Sequence, residues 1–378
     1  MAKFDFHIVK RIREQFARGS TRVALKHKVG DTWQGITWEQ FGQQVDALSL
    51  ALLAQGLGVQ DKIGIFSNNM PQWTIADFAA LQLRGVTVPI YPTNTAAQSA
   101  YIIDNADVKV LFVGEQQQFD AAVSIYDECQ QLELIVAMSD DIDLGEHAFA
   151  MSWQDFIAKG DNSQHAELEV RLEQAQEDDL LTLIYTSGTT GQPKGVMLDY
   201  ANISAQLEGH DQRLSLTEDD VSLCFLPLSH VFERAWTFYV LYKGGTNCYL
   251  QDTMQVRDAL SEVRPTVMSA VPRFYEKIFS AIHEKVSRAP VHRKIMFTWA
   301  VNMGAKMAAC HQEGRKPSLM LRKSYALADK LVLSKLRALL GDRINFMPCG
   351  GAKLDETIGR FFHAIGINVK LGYGMTET

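Results

Sequence analysis

The stretch Tyr185 to Val196, YTSGTTGQPKGV, places four Ser or Thr side chains, three glycines and one lysine between apolar runs. Those residue types suit a polyphosphate. Gly188, Gly191 and Gly195 let backbone amides approach anionic oxygens, Thr186, Ser187, Thr189 and Thr190 add hydroxyl donors, and Lys194 adds a point charge. A Walker loop is a different object, because it needs Lys followed by Ser or Thr at a helix start. Here Pro193 precedes Lys194, Gly195 follows it, and VML resumes an extended pattern. Three further groups stand out. PLSHVFER carries His230, PCGGAKL carries Gly350, Gly351 and Ala352, and GYGMTET carries Tyr373, Gly374, Thr376 and Glu377. Taken singly, each has a plain structural explanation: a satisfied histidine, a tight turn, a turn with an exposed aromatic ring.

These groups share a position relative to the expected elements. LLTLI before Thr186, VSLCFLP before His230, INFMP before Gly350 and INVKLGYG around Tyr373 read as strands, and ligands of open α/β sheets bind at the carboxyl ends of strands. Earlier in the chain, residues 22–38 alternate about Gly30-Asp31 as a hairpin does. A helix follows, with Thr37 and Gln40 as its capping pair, Phe41, Val45, Leu48 and Leu52 on one face, and Gly56 at its stop. KIGIF (62–66), VTVPI (86–90), VKVLFV (108–113) and LELIVAM (132–138) are β-branched runs separated by helical stretches, so a largely parallel sheet is expected. Residues 160–179 hold seven acidic residues against one arginine, which places a subdomain boundary there. After the phosphate loop the alternation resumes with TNCYL (246–250) and TVMSAVP (266–272). The expected fold is α/β, with a first α/β subdomain over 1–175 and a second over 176–378.

The totals narrow the classes. With 378 residues, 47% hydrophobic and a formal charge of −7, the chain is globular and unlike a nucleic-acid binder. No apolar run approaches the roughly 18 residues of a membrane span, and the N-terminus lacks an apolar signal core, so a cytoplasmic protein is expected. Five scattered cysteines have no metal-ligand spacing. Together, a phosphate loop, a glycine-backed slot, a stackable Tyr and a carboxylate describe a site for ATP with Mg²⁺, since magnesium needs one or two protein oxygens beside phosphates and water. His230 could orient or charge-balance a second, anionic substrate, because a carboxylate and a phosphate repel until cations and amides intervene.

YTSGTTGQPKGV, GGAKL and YGMTET, in this order, resemble the adenylate-forming superfamily of acyl-CoA synthetases, adenylation domains and luciferases. HVFER after PLS, VPRFYEK (271–277) and the long insertion after it resemble the long-chain fatty acyl-CoA synthetase branch. The resemblance implies a layered αβαβα arrangement of two sheet-and-helix subdomains. It also implies activation of a long-chain fatty acid by ATP to acyl-adenylate and pyrophosphate, then a thioester with coenzyme A. On the same grounds Thr186 to Lys194 bind the phosphates, Thr186 and Glu377 lie near Mg²⁺, Gly350, Gly351 and Ala352 line the adenine slot, Tyr373 and Gly374 hold the base, and Thr376 touches the α-phosphate. His230, Lys194 and Glu377 are the expected catalytic residues. Some relatives carry a gating Trp four residues after the His; here that position is Arg234, and Trp236 comes two later. Family members continue past TE into a ribose-binding aspartate and a mobile C-terminal domain, so the 378 residues are expected to be an N-terminal part with impaired turnover. A non-catalytic ATP- or AMP-binding module and a ligase for an aryl or amino acid are the competing expectations.

Residues 283–343 differ from the rest. They hold 13 Lys or Arg and 4 Asp or Glu, a net +9 that leaves the remainder at −16, in a helical pattern with Met296, Phe297, Trp299, Met303 and Met307. A basic amphipathic surface attracts anionic lipid, so peripheral membrane contact is expected there, with a solvated helical face or a subunit contact as the plainer readings.

Overall fold

The computed structural model describes residues 7–18, 21–186 and 191–377. Its strands are β1 Val23–Val29, β2 Thr32–Thr37, β3 Lys62–Phe66, β4 Val86–Ile90, β5 Val108–Val113, β6 Leu134–Ala137, β7 Ala150–Ser152, β8 Leu180–Thr186, β9 Lys194–Asp199, β10 Val221–Cys224, β11 Thr246–Tyr249, β12 Met347–Cys349 and β13 Val369–Leu371. The chain divides into two compact units. One takes residues up to Asp219 with Pro227–Asp252 and Thr376–Thr378, and the other takes Asp220–Leu226 and Thr253–Met375. The chain first passes from one unit to the other at 219/220, since β8 and β9 continue the sheet built by the strands before them.

The first unit is organised by a seven-stranded sheet in the order β7-β6-β5-β3-β4-β8-β9. Every neighbouring pair is parallel except β8 and β9, which form an antiparallel hairpin at the edge. The four runs expected as strands between 62 and 138 are β3 to β6. Valine, isoleucine and leucine dominate them because both faces are covered: Val88, Leu111 and Ile135 are fully buried. Beside this sheet, β1 pairs antiparallel with β2 about Gly30, whose φ of +57° suits a residue without Cβ, and parallel with β11.

Helices follow the sequence signals closely where capping chemistry is explicit. Thr37 and Gln40 form a reciprocal capping box at the start of Trp38–Ala54. Gly56, with φ +89°, lies just past its end. Phe41 of this helix meets Phe78 of Pro71–Gln82 edge-on at 5.8 Å, and Phe78 meets Phe238 of Val231–Tyr242 at 5.6 Å, so three helices share one ladder of aromatic rings. Within the acidic stretch 160–179 a helix, His165–Glu173, forms because Leu168 and Leu172, one turn apart, are both buried.

The second unit holds a smaller parallel sheet. Ser222 of β10 bridges Val267, Val267 bridges Phe346, and β12 pairs with β13 from Met347↔Val369 to Cys349↔Leu371. TVMSAVP therefore contributes bridges at 267 and 270 and not a full strand. Tyr275 and Phe362 pack edge-on at 5.1 Å where Pro272–Ser287 and Glu356–Ala364 meet. The basic segment is helical as expected, chiefly Val291–Gln312 and Leu319–Ala328. Val291–Gln312 buries Phe297, Ala300, Gly304 and Met307 on one face. Gly304 is indispensable to that contact, because a Cβ there would sit 1.8 Å from the Ala364 carbonyl oxygen. Its other face leaves Val291 and Ile295 71% and 65% exposed. Of the five cysteines, Cys129, Cys224, Cys248 and Cys349 are buried and Cys310, on this helix, is partly exposed. Among the described residues no helix is long and apolar enough to cross a membrane.

Candidate functional site

In the first unit the edge hairpin sets the ends of the glycine-rich loop. Thr186, the last residue of β8, lies directly opposite Lys194, the first of β9, so the loop leaves and re-enters the sheet at one rung. Tyr185 anchors that rung from below. Its phenol donates to Asn105 Oδ1 at 2.6 Å, and its ring lies where a Cβ on Gly195 would come within 3.1 Å, so residue 195 must be small. Gly191 has φ +101°, a conformation side chains rarely adopt, and Lys194 is exposed. Ser187, Gly188, Thr189 and Thr190 lie outside the described residues.

His230 lies six residues beyond the end of β10 and caps the helix Val231–Tyr242. Its Nδ1 accepts the Phe232 backbone N–H at 3.1 Å, which satisfies one of the helix's open amides. Burial lowers the imidazole pKa below its ordinary value of 6.5, so the ring is held neutral. With Nδ1 accepting, the proton resides on Nε2, and that nitrogen is the ring's donor. The loop before the cap is fixed as well, since Leu228 N–H donates to Asn69 Oδ1 at 3.0 Å.

One turn into the same helix is a constellation that the sequence did not reveal. Arg234 is 2% exposed, and its guanidinium donates from Nε to Asp77 Oδ2 at 2.9 Å and from Nη2 to Asp77 Oδ1 at 2.6 Å. Its third arm, Nη1, donates to Thr182 Oγ1 at 2.5 Å. The Thr182 hydroxyl in turn donates to the Thr87 carbonyl at 2.6 Å, so β8 is tied to β4 by a side chain as well as by its ladder. Trp73 and Phe238 place their rings 5.6 and 5.3 Å from the guanidinium carbon. The available signal was the arginine in HVFER, an expensive residue in an otherwise apolar helix face.

In the second unit, two candidate segments leave adjacent strands side by side. Gly350 and Gly351 follow β12, Gly372 and Tyr373 follow β13, and the two strand ends are in register. Gly372 N–H donates to the Cys349 carbonyl at 2.9 Å, extending the pairing by one step. Gly350 is buried, Gly351 (φ +81°) and Ala352 are exposed, and the Tyr373 ring is 95% exposed. A glycine-faced backbone beside an open aromatic ring is suited to a flat, planar group. Gly374 is exposed in the same segment. Thr376 and Glu377 form a turn that belongs to the first unit, with Thr376 half-buried and the Glu377 carboxylate exposed.

Comparison with known proteins places the chain in a family. Long-chain-fatty-acid–CoA ligase FadD15 of Mycobacterium bovis is 31% identical over 359 residues, which cover 94% of this chain and 58% of that protein. Long-chain-fatty-acid–CoA ligase ACSBG2 of Xenopus laevis is 30% identical over 94% of this chain and 49% of its own length. The chain thus spans about half the length of these curated relatives. Among solved structures, the anthranilate CoA ligase AuaEII, determined in complex with anthranoyl-AMP, superposes with a TM-score of 0.71 at 18% identity, over 99% of this chain and 61% of that one; at that identity the likeness is one of fold. The profile of AMP-binding enzymes matches residues 12–378, nearly the whole length, and the chain belongs to that family.

Proposed function

We propose that this chain carries the adenylate-forming chemistry of a ligase that activates a long-chain fatty acid. In this reading a carboxylate oxygen attacks the α-phosphorus of ATP, the bond to the bridging oxygen breaks and pyrophosphate leaves. The thiol of coenzyme A then displaces AMP from the acyl group. The observation that carries the reading is the rung Thr186–Lys194, which sets a hydroxyl residue and a lysine opposite each other in the strand register, at the two ends of the glycine-rich segment. Lys194 and the loop hydroxyls hold the phosphates, and Gly350, Gly351, Ala352 and Tyr373 receive the adenine. Thr376 contacts the α-phosphate.

A magnesium ion bound to phosphates needs one or two protein oxygens, and the Thr186 hydroxyl and the exposed Glu377 carboxylate supply an oxygen-only set that fits it. When bound, the ion offsets phosphate charge. His230 acts as a neutral Nε2–H donor that orients the carboxylate, and not as a charge balance, because a cation there would pair with the nucleophile and weaken it. The assignment to fatty acids rests on the relatives, which are named for long-chain acids at 31% and 30% identity.

The basic helices support a further part of the reading, contact with an anionic lipid surface from which such an acid is drawn. Val291–Gln312 and Leu319–Ala328 contain five Lys or Arg and no Asp or Glu, and their exposed side chains include Leu319 and Met320 at 74% and 81%. Lys294 and Lys306 line one open pocket together with Ile295, Trp299 and Met303. Binding to anionic vesicles that weakens with salt supports this contact, and binding indifferent to lipid charge rejects it.

The decisive experiment is carboxylate-dependent exchange of labelled pyrophosphate into ATP, with a panel of fatty, aryl and amino acids, on the product of the complete coding sequence. Exchange driven best by long-chain acids supports the proposal. Exchange driven best by aryl or amino acids reassigns the substrate, and ATP binding without exchange for any acid leaves a nucleotide-binding module. Lys194→Ala should weaken ATP binding at least tenfold, about 1.4 kcal/mol.

A further inference from the structure

We propose that Arg234 is a positioning residue for His230: its three-armed clamp on Asp77 and Thr182 holds the helix that His230 caps to the strand that leads into the phosphate loop. The proposal rests on the ligase reading for its purpose but on geometry for its substance. Arg234 and His230 share one helical turn, and the Arg234 backbone N–H donates to the His230 carbonyl at 3.2 Å. From the same residue, the side chain reaches Thr182, four residues before Thr186 along β8. A strand rises about 3.3 Å per residue, so the anchored point lies about 13 Å behind the loop's first residue. Asp77 fixes the third body, the helix Pro71–Gln82, by a two-pronged bond that allows one orientation of the guanidinium plane.

Stability alone does not call for this arrangement. Apolar residues of similar volume commonly replace a buried ion pair without loss, whereas a planar fork with three bonded arms fixes direction as few apolar contacts do. The surroundings are already apolar, with Trp73 and Phe238 against the guanidinium. A charged clamp in such a setting, one turn from a capping histidine, points to orientation of that histidine as its role.

The test is the double substitution Asp77→Leu with Arg234→Met, which removes both charges and puts apolar side chains in their place. Two readouts are taken on folded protein whose melting temperature matches the parent: the imidazole ¹⁵N pattern of His230, and pyrophosphate exchange resolved into kcat and carboxylate KM. The parent should show one neutral tautomer with the proton on Nε2. The double variant should show mixed tautomers, and kcat should fall at least tenfold with KM within about twofold, the mark of a misaimed group and not of lost binding. An unchanged His230 pattern in the folded variant overturns the proposal. If the double variant does not fold, Arg234→Lys, which keeps the charge and loses the fork, is read in the same way, and an unchanged pattern there also overturns it. If the parent exchanges no pyrophosphate with any acid, the ligase reading fails, while the imidazole pattern still decides the clamp.

Discussion

The strand ends around His230 and around Tyr373 are built on opposite plans. His230 is bonded through Nδ1, its helix is clamped by Arg234, and the chain before it is pinned by Asn69. Tyr373 has glycine on both sides, a ring 95% exposed, and one backbone bond, Gly372 to Cys349, holding its segment to the neighbouring strand. The first plan fixes direction before any ligand arrives, as groups acting on a reacting atom require. The second leaves surface for a partner to cover, which suits the stacking proposed for it.

If that contrast is sound, substitutions behind His230 should cost stability, and substitutions at Tyr373 should cost affinity alone. The largest effect is expected from Asp77→Ala, which strands the Arg234 guanidinium in the interior and should lower unfolding free energy by about 3–5 kcal/mol in urea titrations. A loss below about 1 kcal/mol would break the contrast, since surface pairs behave that way. Tyr373→Ala should leave the urea midpoint unchanged and weaken ATP binding by about 1–3 kcal/mol, the usual worth of an aromatic–base stack, as read by calorimetry. Gly351→Val should cost about 1–2 kcal/mol through its backbone, because φ +81° disfavours a branched residue while the nearest side-chain atom, Val271 Cγ1, is a comfortable 3.6 Å from the new Cβ.

The smallest effect sharpens the first plan. The His230 pKa is lowered by burial from 6.5, so below pH 6.5 the unfolded chain binds a proton that the folded chain refuses. Its contribution to stability is therefore intact above pH 6.5 and is lost as pH falls toward the depressed value. His230→Asn, whose Oδ1 can accept the Phe232 N–H in place of Nδ1, should flatten that part of the stability–pH curve while costing little stability at pH 8.

Local chemistry was legible in the sequence, and distant pairing was not. Thr37 and Gln40 announce a capping box three residues apart, and Gly30-Asp31 announces a hairpin, because the interacting atoms are neighbours in the chain. TNCYL reads correctly as a strand, yet its partner β1 lies more than 200 residues earlier, and nothing in its own residues says so. The antiparallel turn of β9 against β8 was hidden for a different reason. KGVML lacks clean alternation because it is an edge strand, with Met197 63% exposed. Of the candidate site, the types and order of the loop, His230, the glycine pair and Tyr373 were readable. Asp77 and Thr182 were not, since their meaning comes from an arginine 157 and 52 residues away.

The distribution of thiols gives the basic helices a reporter of their own. Burial pushes the Cys129 and Cys349 thiols up to about 11 and Cys248 to about 12, and Cys224 is fully buried, so these four resist alkylation, which needs an accessible thiolate. Cys310, partly exposed near the end of Val291–Gln312, is left as the site where a maleimide dye attaches to the native sequence. A polarity-sensitive dye at that position would report the proposed lipid contact by a shift in its emission, and an unchanged emission with anionic vesicles would speak against that contact, without a single engineered substitution.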